Sequence, residues 1–493
     1  MTTTTLPAQP VTAPHRPAAA PAADSAPSPG TSSTDRLLTG LELSDAASLI
    51  TPARVVSGRQ LAERVRSTAS ILVDHGVGAG HVVALLSGPN DPDVVMARYA
   101  ARLVGATVVH LRSMNPRSDE DEFAVETQLD LLDRTGAAII LTDATSAPRA
   151  VELGSHRPDL LVLTTAATGG LTPKAWVNEA NDCAVIDVTS GTTGAPRLVR
   201  QSHQSREQLV ARLAADLGPT PVRLLSVTPV THTTAPMIDA VLLSGGSIVL
   251  HRGFDADAVL DAVESGVTDV YLAVPHLCAL LDHPRTATTD FTGLRRVVYS
   301  GTPAAPHRVA AARRLLGQAV VQVYGTTETG GISALTPEDH DEPLLHGTVG
   351  RPFPWVDVVV RDPETSVILP PGRAGAVWVR SATTADGYWS EADGGPFPPD
   401  GWVCTGDLGA LEQHGRLRLI GRLAGVIKVG GLKIYPASIE SALREHPAVS
   451  EAVVQGIRDA ERREAVHAVV VPRAGATVDT DELVAHVTQR LSA

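Results

Sequence analysis

Aromatic residues, cysteines and lysines are all scarce in this chain of 493 residues. Phe, Trp and Tyr make up 3% of the sequence, so we expect a core built mainly from Ala, Val and Leu. The three cysteines lie far apart and form no CxxC pair, which argues against a disulfide framework or a zinc knuckle. Their rarity favours a reducing, cytoplasmic location. Lysine occurs only three times, so Arg carries nearly all the positive charge.

Long apolar runs and an excess of basic residues are also missing. No apolar segment approaches the roughly 18–20 residues that cross a bilayer. Lys plus Arg number 41 against 54 for Asp plus Glu, a net charge of −13. Because nucleic acids and anionic membranes attract basic surfaces, this balance argues against both as partners. The chain also exceeds the roughly 250–300 residues of a single core, so we expect at least two domains.

The first 35 residues are Thr, Pro, Ala and Ser with almost no large apolar side chain. Such a segment cannot bury enough surface to offset its ordering entropy, so we predict a disordered tail over 1–35. From about Leu37, strand-like apolar runs alternate with amphipathic stretches, which indicates βαβ units. Short strands and turns follow after about Val349. The prediction is an α/β fold with a large multi-sheet N-terminal body, a β-rich module and a small α+β C-terminal domain.

One strand-like run ends in a loop of hydroxyls and glycines, and an arginine closes the loop. Residues 188–197 read VTSGTTGAPR. Glycines let backbone N–H groups wrap an anion, and Ser/Thr hydroxyls add donors. The spacing is not the GxxxxGK[ST] of a Walker loop, so the pattern predicts a different kind of phosphate loop. The predicted phosphate-binding residues are Thr189, Ser190, Gly191, Thr192, Thr193, Gly194 and Arg197.

Several ordered motifs, from about Leu37 to the C-terminus, make the sequence resemble the adenylate-forming superfamily of acyl-CoA synthetases, peptide-synthetase adenylation domains and luciferases. Residues 189–197 are similar to its phosphate loop, with Arg197 where Lys is usual. The segment YGTTE at 324–328 is similar to its second signature. The resemblance implies that Tyr324 packs on adenine, that Thr327 contacts the α-phosphate and that Glu328 helps to hold Mg²⁺. Gly325 and Thr326 belong to the same nucleotide-binding segment.

Other positions match the family one by one. The segment SGTP at 300–303 is similar to the strip that holds adenine, which implies nucleotide contacts by Gly301, Thr302 and Pro303. Asp407, in a Thr-Gly-Asp element, is implied to hold the ribose hydroxyls. Arg422 stands where the family has a second ribose or phosphate contact. His232 resembles the gate over the acyl pocket, although an ordinary core histidine is the alternative.

The C-terminal part departs from the family. Two of the three lysines, Lys428 and Lys433, fall in a segment similar to the family's Gly-rich mobile loop. No lysine follows them, whereas the family carries its bridging lysine in a later stretch. The resemblance therefore implies a shortened C-terminal domain, natural or truncated. Lys428 and Lys433 are the candidates to replace the missing lysine, and we predict the catalytic role for Lys428 because it lies just after the hinge. We predict an N-terminal domain over 36–422 and a short mobile domain over 423–493.

The implied function is ATP- and Mg²⁺-dependent activation of an acid as an acyl-adenylate, with release of pyrophosphate and transfer to a thiol or an amine. Coenzyme A is the default acceptor, and a carrier-protein thiol comes next. One alternative is activation of nitrous acid for diazotisation of an aromatic amine. Another is a non-catalytic nucleotide-binding relative. No side chain in the expected pocket walls, 231–236, 300–303 and 325–332, indicates the charge of the acid.

Overall fold

The computed structural model describes residues 32–112, 123–165, 182–189, 196–231, 233–390, 394–395, 397–429, 432–458, 464–473 and 475–491. Six predicted site residues lie outside these ranges: Ser190, Gly191, Thr192, Thr193, Gly194 and His232. The description of Lys428 is limited to its backbone.

The strands of the described residues are, in chain order, β1 (Ala47–Ile50), β2 (Val55–Ser57), β3 (Val82–Leu86), β4 (Thr107–His110), β5 (Ile139–Thr142), β6 (Leu161–Thr164), β7 (Cys183–Thr189), β8 (Arg197–Ser202), β9 (Arg223–Ser226), β10 (Ser247–Leu250), β11 (Asp269–Ala273), β12 (Arg296–Ser300), β13 (Val320–Thr326), β14 (Gly330–Leu335), β15 (Arg351–Pro352), β16 (Val356–Arg361), β17 (Gly375–Ser381), β18 (Gly387–Tyr388), β19 (Val403–Leu411), β20 (Leu417–Arg422), β21 (Ile427–Val429), β22 (Leu432–Ile434), β23 (Val449–Arg458) and β24 (Glu464–Pro472).

The α-helices of the same residues are α1 (Ser33–Glu42), α2 (Gly58–Asp74), α3 (Pro92–Leu103), α4 (Val125–Thr135), α5 (Ala147–His156), α6 (His203–Ala215), α7 (Thr234–Leu243), α8 (Ala256–Glu264), α9 (Val274–Leu281), α10 (Pro306–Leu316), α11 (Pro436–Glu445) and α12 (Thr480–Leu491). Within the described part of the chain, none of the helices combines the length and the apolar character that crossing a membrane requires.

Two large sheets build the N-terminal body. One has nine strands in the order β15-β14-β13-β12-β11-β9-β10-β1-β2, and the other has seven in the order β18-β8-β7-β4-β3-β5-β6. Their central strands are parallel. Antiparallel strands close both edges of the nine-stranded sheet and one edge of the seven-stranded sheet, whose other edge strand, β6, is parallel to β5. The central runs are apolar because parallel strands between helices are buried on both faces, as in β3, where every residue is buried. The predicted α/β class is confirmed.

Smaller sheets follow these two in the chain. Strands β16, β17, β19 and β20 form an antiparallel sheet in the order β16-β17-β19-β20. The hairpins β21-β22 and β23-β24 and helices α11 and α12 make up the C-terminal part, where Leu443, Val449 and Leu483 belong to a core of their own. The short strands after about Val349 and the mixed helices and strands of the C-terminal part therefore agree with the prediction. The boundaries of the domains stay a prediction.

Helix α1 overlaps the end of the segment predicted to be a disordered tail. It begins at Ser33, after a cap in which the Ser32 hydroxyl accepts a hydrogen bond from the Asp35 amide at 3.1 Å. The last three residues of the predicted tail, 33–35, are thus helical. The physical reason lies just beyond them, because Leu37, Leu38 and Leu41 are buried in the main core and hold the helix in place.

Helix α3 lies between the two large sheets, and all twelve of its residues are buried. The same core cluster contains Leu85 of the seven-stranded sheet and Leu224 and Ile248 of the nine-stranded sheet. A helix enclosed in this way has no polar face for solvent, yet α3 carries Arg98 and Arg102. Their charges need a partner inside the protein.

Asp239 of α7 is that partner. Its carboxylate lies 2.9 Å from Arg98, 3.0 Å from Arg102 and 3.2 Å from Arg206 of α6, and the Tyr99 hydroxyl donates to it at 2.7 Å. All five side chains are buried. Burial would raise the pKa of Asp239, but the three guanidiniums outweigh this effect and hold the pKa below its ordinary value. We call this group of five residues the buried guanidinium cluster.

We expect Asp239→Asn to lower the free energy of unfolding by about 3–5 kcal/mol, because it leaves three buried guanidiniums without a counter-charge. Urea unfolding followed by circular dichroism measures the change. Asp341→Asn is the matched control, since Asp341 is an exposed aspartate paired with Arg313 at 2.6 Å. Its unfolding midpoint should stay close to that of the wild type. Equal midpoints for the two variants would contradict the central role of Asp239.

Candidate active site

The predicted phosphate loop joins β7 to β8, which pair as an antiparallel hairpin. The last pair of the hairpin is Thr189 with Arg197, so these two residues face each other where the loop begins and ends. The loop residues between them lie outside the described ranges. Side chains of directly opposed residues lie on the same face of a sheet, so the Thr189 hydroxyl and the Arg197 guanidinium project to one side.

Arg197 and Glu328 are connected through a third side chain, Tyr388. The Arg197 guanidinium donates a hydrogen bond to the Tyr388 hydroxyl at 3.0 Å, and its central carbon lies 5.2 Å from the centre of the tyrosine ring. The Tyr388 hydroxyl in turn donates to Glu328 Oε1 at 3.1 Å. Burial and the charge of Glu328 raise the pKa of Tyr388, while Arg197 opposes the rise. The hydroxyl therefore keeps its proton and serves as a donor to Glu328.

Sequence reasoning missed Tyr388, although the structure holds it firmly beside the phosphate loop. Strand β18 adds to the edge of the seven-stranded sheet, where Tyr388 pairs with Val199. The ring of Phe397 packs edge-on against the tyrosine ring, with 5.5 Å between their centres. Arg197 and Tyr388 are 191 residues apart in the chain. Only the pairing of β18 with β8 brings them together, so no local spacing in the sequence signals this contact.

Asp407, Tyr324 and Arg422 form a second group. The Tyr324 hydroxyl donates to Asp407 Oδ2 at 2.6 Å, and Arg422 Nε lies 3.2 Å from Asp407 Oδ1. Strands β19 and β20 place Asp407 and Arg422 opposite each other as a cross-strand pair. Burial raises the pKa of Asp407, and the hydrogen bond from Tyr324 and the charge of Arg422 limit the rise. The carboxylate is thus fixed by two donors.

Glycines shape the backbone where the predicted adenine strip and second signature lie. Gly301 follows β12 and has φ +99°, a conformation that residues with a side chain rarely adopt. Gly325 lies in the hairpin β13-β14, where a Cβ atom would come 2.2 Å from the carbonyl oxygen of Gly330. Only glycine allows the two strands to approach this closely. Strand β13 ends at Thr326, and the turn of the hairpin carries Thr327 and Glu328.

The described site residues face one continuous cleft. The lining includes every predicted site residue whose side chain the structure describes: Thr189, Arg197, Gly301, Thr302, Pro303, Tyr324, Gly325, Thr326, Thr327, Glu328, Asp407 and Arg422. Residues that lie far apart in the sequence thus meet in one place. Their roles toward a ligand stay predictions.

The carboxylates of this cleft suit Mg²⁺ better than a metal held entirely by protein ligands. Among the residues that the structure describes, no three His, Cys, Asp or Glu side chains come together as a metal site. Mg²⁺ keeps several water ligands and takes one or two carboxylates together with phosphate oxygens. Glu328, at the cleft and partly exposed, fits that need.

Comparison with known proteins identifies the family. Residues 42–389 match the model of the AMP-binding enzymes, and residues 438–493 match the model of the AMP-binding enzyme C-terminal domain. The chain belongs to the AMP-binding enzymes. A feruloyl-CoA synthase from Streptomyces is 30% identical, covering 88% of this chain and 87% of the relative. A medium/long-chain-fatty-acid–CoA ligase from Mycobacterium tuberculosis, FadD8, is also 30% identical, covering 88% and 80%.

Solved structures agree with this assignment. The amide bond synthetase McbA from Marinactinospora thermotolerans is 33% identical, with a TM-score of 0.83 and coverage of 94% of this chain and 93% of McbA. The o-succinylbenzoate-CoA synthetase MenE from Bacillus subtilis, in complex with its acyl-adenylate intermediate, is 26% identical, with a TM-score of 0.79 and coverage of 92% and 91%. MenE is also known in complex with ATP and magnesium ion.

This AMP-binding enzyme is an ATP-dependent ligase. It activates an acid as the acyl-adenylate and transfers the acyl group to a thiol or an amine, and ATP and magnesium serve the reaction. The relatives do not favour activation of nitrous acid or a non-catalytic role.

We expect Tyr388→Phe to raise the Mg²⁺ concentration needed for half-maximal adenylation and to lower kcat by about tenfold, since it removes the hydroxyl between Arg197 and Glu328 but keeps the ring. Titration of Mg²⁺ at saturating ATP measures both. Phe397→Leu is the control, because it alters packing against the same ring and leaves the hydroxyl in place. A wild-type Mg²⁺ response in Tyr388→Phe would contradict a role for the hydroxyl.

Proposed function

We propose that the cleft joins a carboxylic acid to AMP and passes the acyl group to coenzyme A, with an amine as the second candidate acceptor. The observation that carries the proposal is that two clusters of charged and hydroxyl side chains line one cleft. Arg197, Tyr388 and Glu328 form the first cluster. Tyr324, Asp407 and Arg422 form the second. Coenzyme A is supported by relatives that are CoA ligases. The amine is supported by the likeness to an amide bond synthetase.

In the first half-reaction a carboxylate oxygen of the acid attacks the α-phosphorus of ATP, the bond to the β-phosphate oxygen breaks, and pyrophosphate leaves. Thr189 and Arg197 lie at the two ends of the loop. The Thr189 hydroxyl and the Arg197 guanidinium bind the phosphates and offset the negative charge that grows in the transition state. Mg²⁺, when bound at Glu328, would neutralise phosphate charge as well. Thr327, on the β13-β14 turn, is proposed to contact the α-phosphate.

Asp407 is proposed to orient the nucleotide. Two ribose hydroxyls can donate to one carboxylate, and hydrogen bonds to an ionised acceptor are strong. Tyr324 and Arg422 already fix both carboxylate oxygens, so Asp407 needs little reorganisation when ATP binds. Gly301, Thr302 and Pro303 line the same cleft, which supports a flat base lying against the backbone there.

Three further assignments rest on the sequence alone. His232 as the gate over the acyl pocket lies outside the described residues, as does the side chain of Lys428, which we propose as a catalytic cation. A carrier-protein thiol as acceptor also stays a prediction.

In the second half-reaction the thiol or amine attacks the acyl carbon of the adenylate, and AMP leaves.

The proposed function is tested by release of pyrophosphate across a panel of aliphatic and aromatic carboxylic acids, each with ATP and Mg²⁺. Parallel reactions with coenzyme A, with a primary amine and without an acceptor are analysed for thioester or amide by mass spectrometry. We expect pyrophosphate release with at least one acid and thioester formation when coenzyme A is present. Amide without thioester would favour the second acceptor, and no pyrophosphate with any acid would contradict the proposal.

We expect Asp407→Ala to raise the KM for ATP by about tenfold or more, because it removes the charged acceptor for the ribose. The KM for the acid should change much less. Arg416→Ala is a control just before β20, where Arg416 pairs with Asp339 at 2.8 Å and is not among the residues that line the cleft. Unchanged ATP affinity in folded Asp407→Ala would contradict the ribose assignment.

We expect Glu328→Gln to lower kcat by about 10²–10³-fold, since it removes one electrostatic contribution to the transition state while it preserves the side-chain shape. Binding of a non-hydrolysable ATP analogue, measured calorimetrically, should fall far less than kcat. Glu338→Gln, which changes an exposed glutamate, is the control. If the turnover of Glu328→Gln stayed within threefold of the wild type across Mg²⁺ concentrations, Glu328 would have no role in holding Mg²⁺.

A further inference from the structure

The face of the β7-β8 hairpin that carries Thr189 continues inward beyond the phosphate loop. Because side chains on a strand alternate between faces, Asp187 projects to the same side as Thr189, two residues and about 7 Å farther along the strand. Asp187 is opposite Val199, so Val199 lies on this face as well. Asp187 lines the same cleft as the proposed nucleotide site. It therefore lies one step deeper in the cleft than the Thr189 hydroxyl.

Asp187 is buried without a close partner in the described part of the chain. The residue is 7% exposed, and its carboxylate forms no hydrogen bond or ion pair with the residues that the structure describes. Arg206 and Arg98 act on it through their charge without contacting it. Burial raises the pKa of Asp187 to about 6, against the effect of these two guanidiniums, so the carboxylate is mostly ionised at pH 7.5. Leaving a buried acceptor without a donor costs free energy.

Apolar side chains line the cleft together with the polar residues Gln201 and Arg206. Leu209 and Leu213 of α6 and Pro236 and Met237 of α7 line it. A small number of fixed polar groups in an apolar pocket orients a ligand and selects among ligands. An acid whose far end is purely apolar would enclose the Asp187 carboxylate without giving it a hydrogen bond. An acid that carries a donor there would satisfy it.

We propose that Asp187 determines specificity by accepting a hydrogen bond from an N–H or O–H group on the acid. Thr189 lies at the end of the pocket where the acid meets ATP. The donor is therefore expected about 7 Å from the reacting carboxylate, roughly the distance between two groups at opposite ends of one aromatic ring. The substrate class is therefore an aryl or heteroaryl carboxylic acid with an N–H or O–H group at its far end. This inference rests on the proposed function, because it places a carboxylic acid in the cleft.

A purely structural role for Asp187 makes a different prediction. As a counter-charge to the buried guanidinium cluster, Asp187 would support the fold and the general shape of the cleft. Its loss would then lower activity toward every acid by the same factor. A group that contacts the acid instead changes the ratio of activities toward acids with and without a donor. That ratio does not depend on the fraction of protein that is folded.

The test compares matched pairs of acids by kcat/KM for pyrophosphate release. Indole-5-carboxylate and benzothiophene-5-carboxylate differ by N–H against S, and 4-hydroxybenzoate and benzoate differ by O–H against H. In both donor-bearing acids the donor lies across one aromatic ring from the carboxyl group. We expect the wild type to prefer the donor in at least one pair by about tenfold or more, as sites built around a polar group do. Asp187→Val should bring that ratio close to one.

Two further variants complete the test. Asp187→Asn, nearly isosteric, should reduce the donor preference at least threefold, and it serves if Asp187→Val does not fold. Asp341→Asn, the same change at an exposed position, should keep the wild-type ratio. Equal kcat/KM within every pair in the wild type, or an unchanged ratio in the Asp187 variants, would overturn the inference. Absence of pyrophosphate with every acid would instead contradict the proposed function.

Discussion

The structure of the N-terminal body depends on the charge of Asp239. Helix α3 is enclosed between the two large sheets and brings Arg98 and Arg102 into the core, and α6 adds Arg206. Apolar burial alone would leave these guanidiniums without partners, at a cost of several kcal/mol per ion. One carboxylate on α7 therefore fixes three helices relative to one another, and with them the two sheets that they separate.

The position of the two sheets relative to each other also determines the geometry of the cleft. Arg197 and Tyr388 come from the seven-stranded sheet, and Glu328 lies on the β13-β14 turn of the nine-stranded sheet, so the hydrogen bond from Tyr388 to Glu328 crosses between the two sheets. A small shift of one sheet against the other would break the 3.1 Å contact between Tyr388 and Glu328. The fixed charges of the site are thus placed before any ligand arrives, and preorganised charge is the largest single source of catalysis in many enzymes.

Local motifs could be predicted because their chemistry is encoded in adjacent residues. The phosphate loop, the YGTTE segment and the Thr-Gly-Asp element each need particular side chains a few positions apart, so they are visible in the linear sequence. The alternation of strand and helix was visible for a similar reason, since burial imposes a period on the pattern. The segment predicted to be disordered includes residues 33–35, which are helical, because the burial of Leu37 and its neighbours depends on a core built from other parts of the chain.

The family and the α/β class follow from the sequence, and the same sequence predicts which residues would meet a nucleotide. The tertiary structure alone decided which side chains support them. Tyr388 joins Arg197 to Glu328 only because β18 adds to the edge of β8. Asp187 has no hydrogen-bond or ion-pair partner among the described residues, because the helices around it bury it and pair their arginines with Asp239 instead. Such properties arise from contacts between residues far apart in the chain, and a linear pattern carries no record of which distant residues will meet.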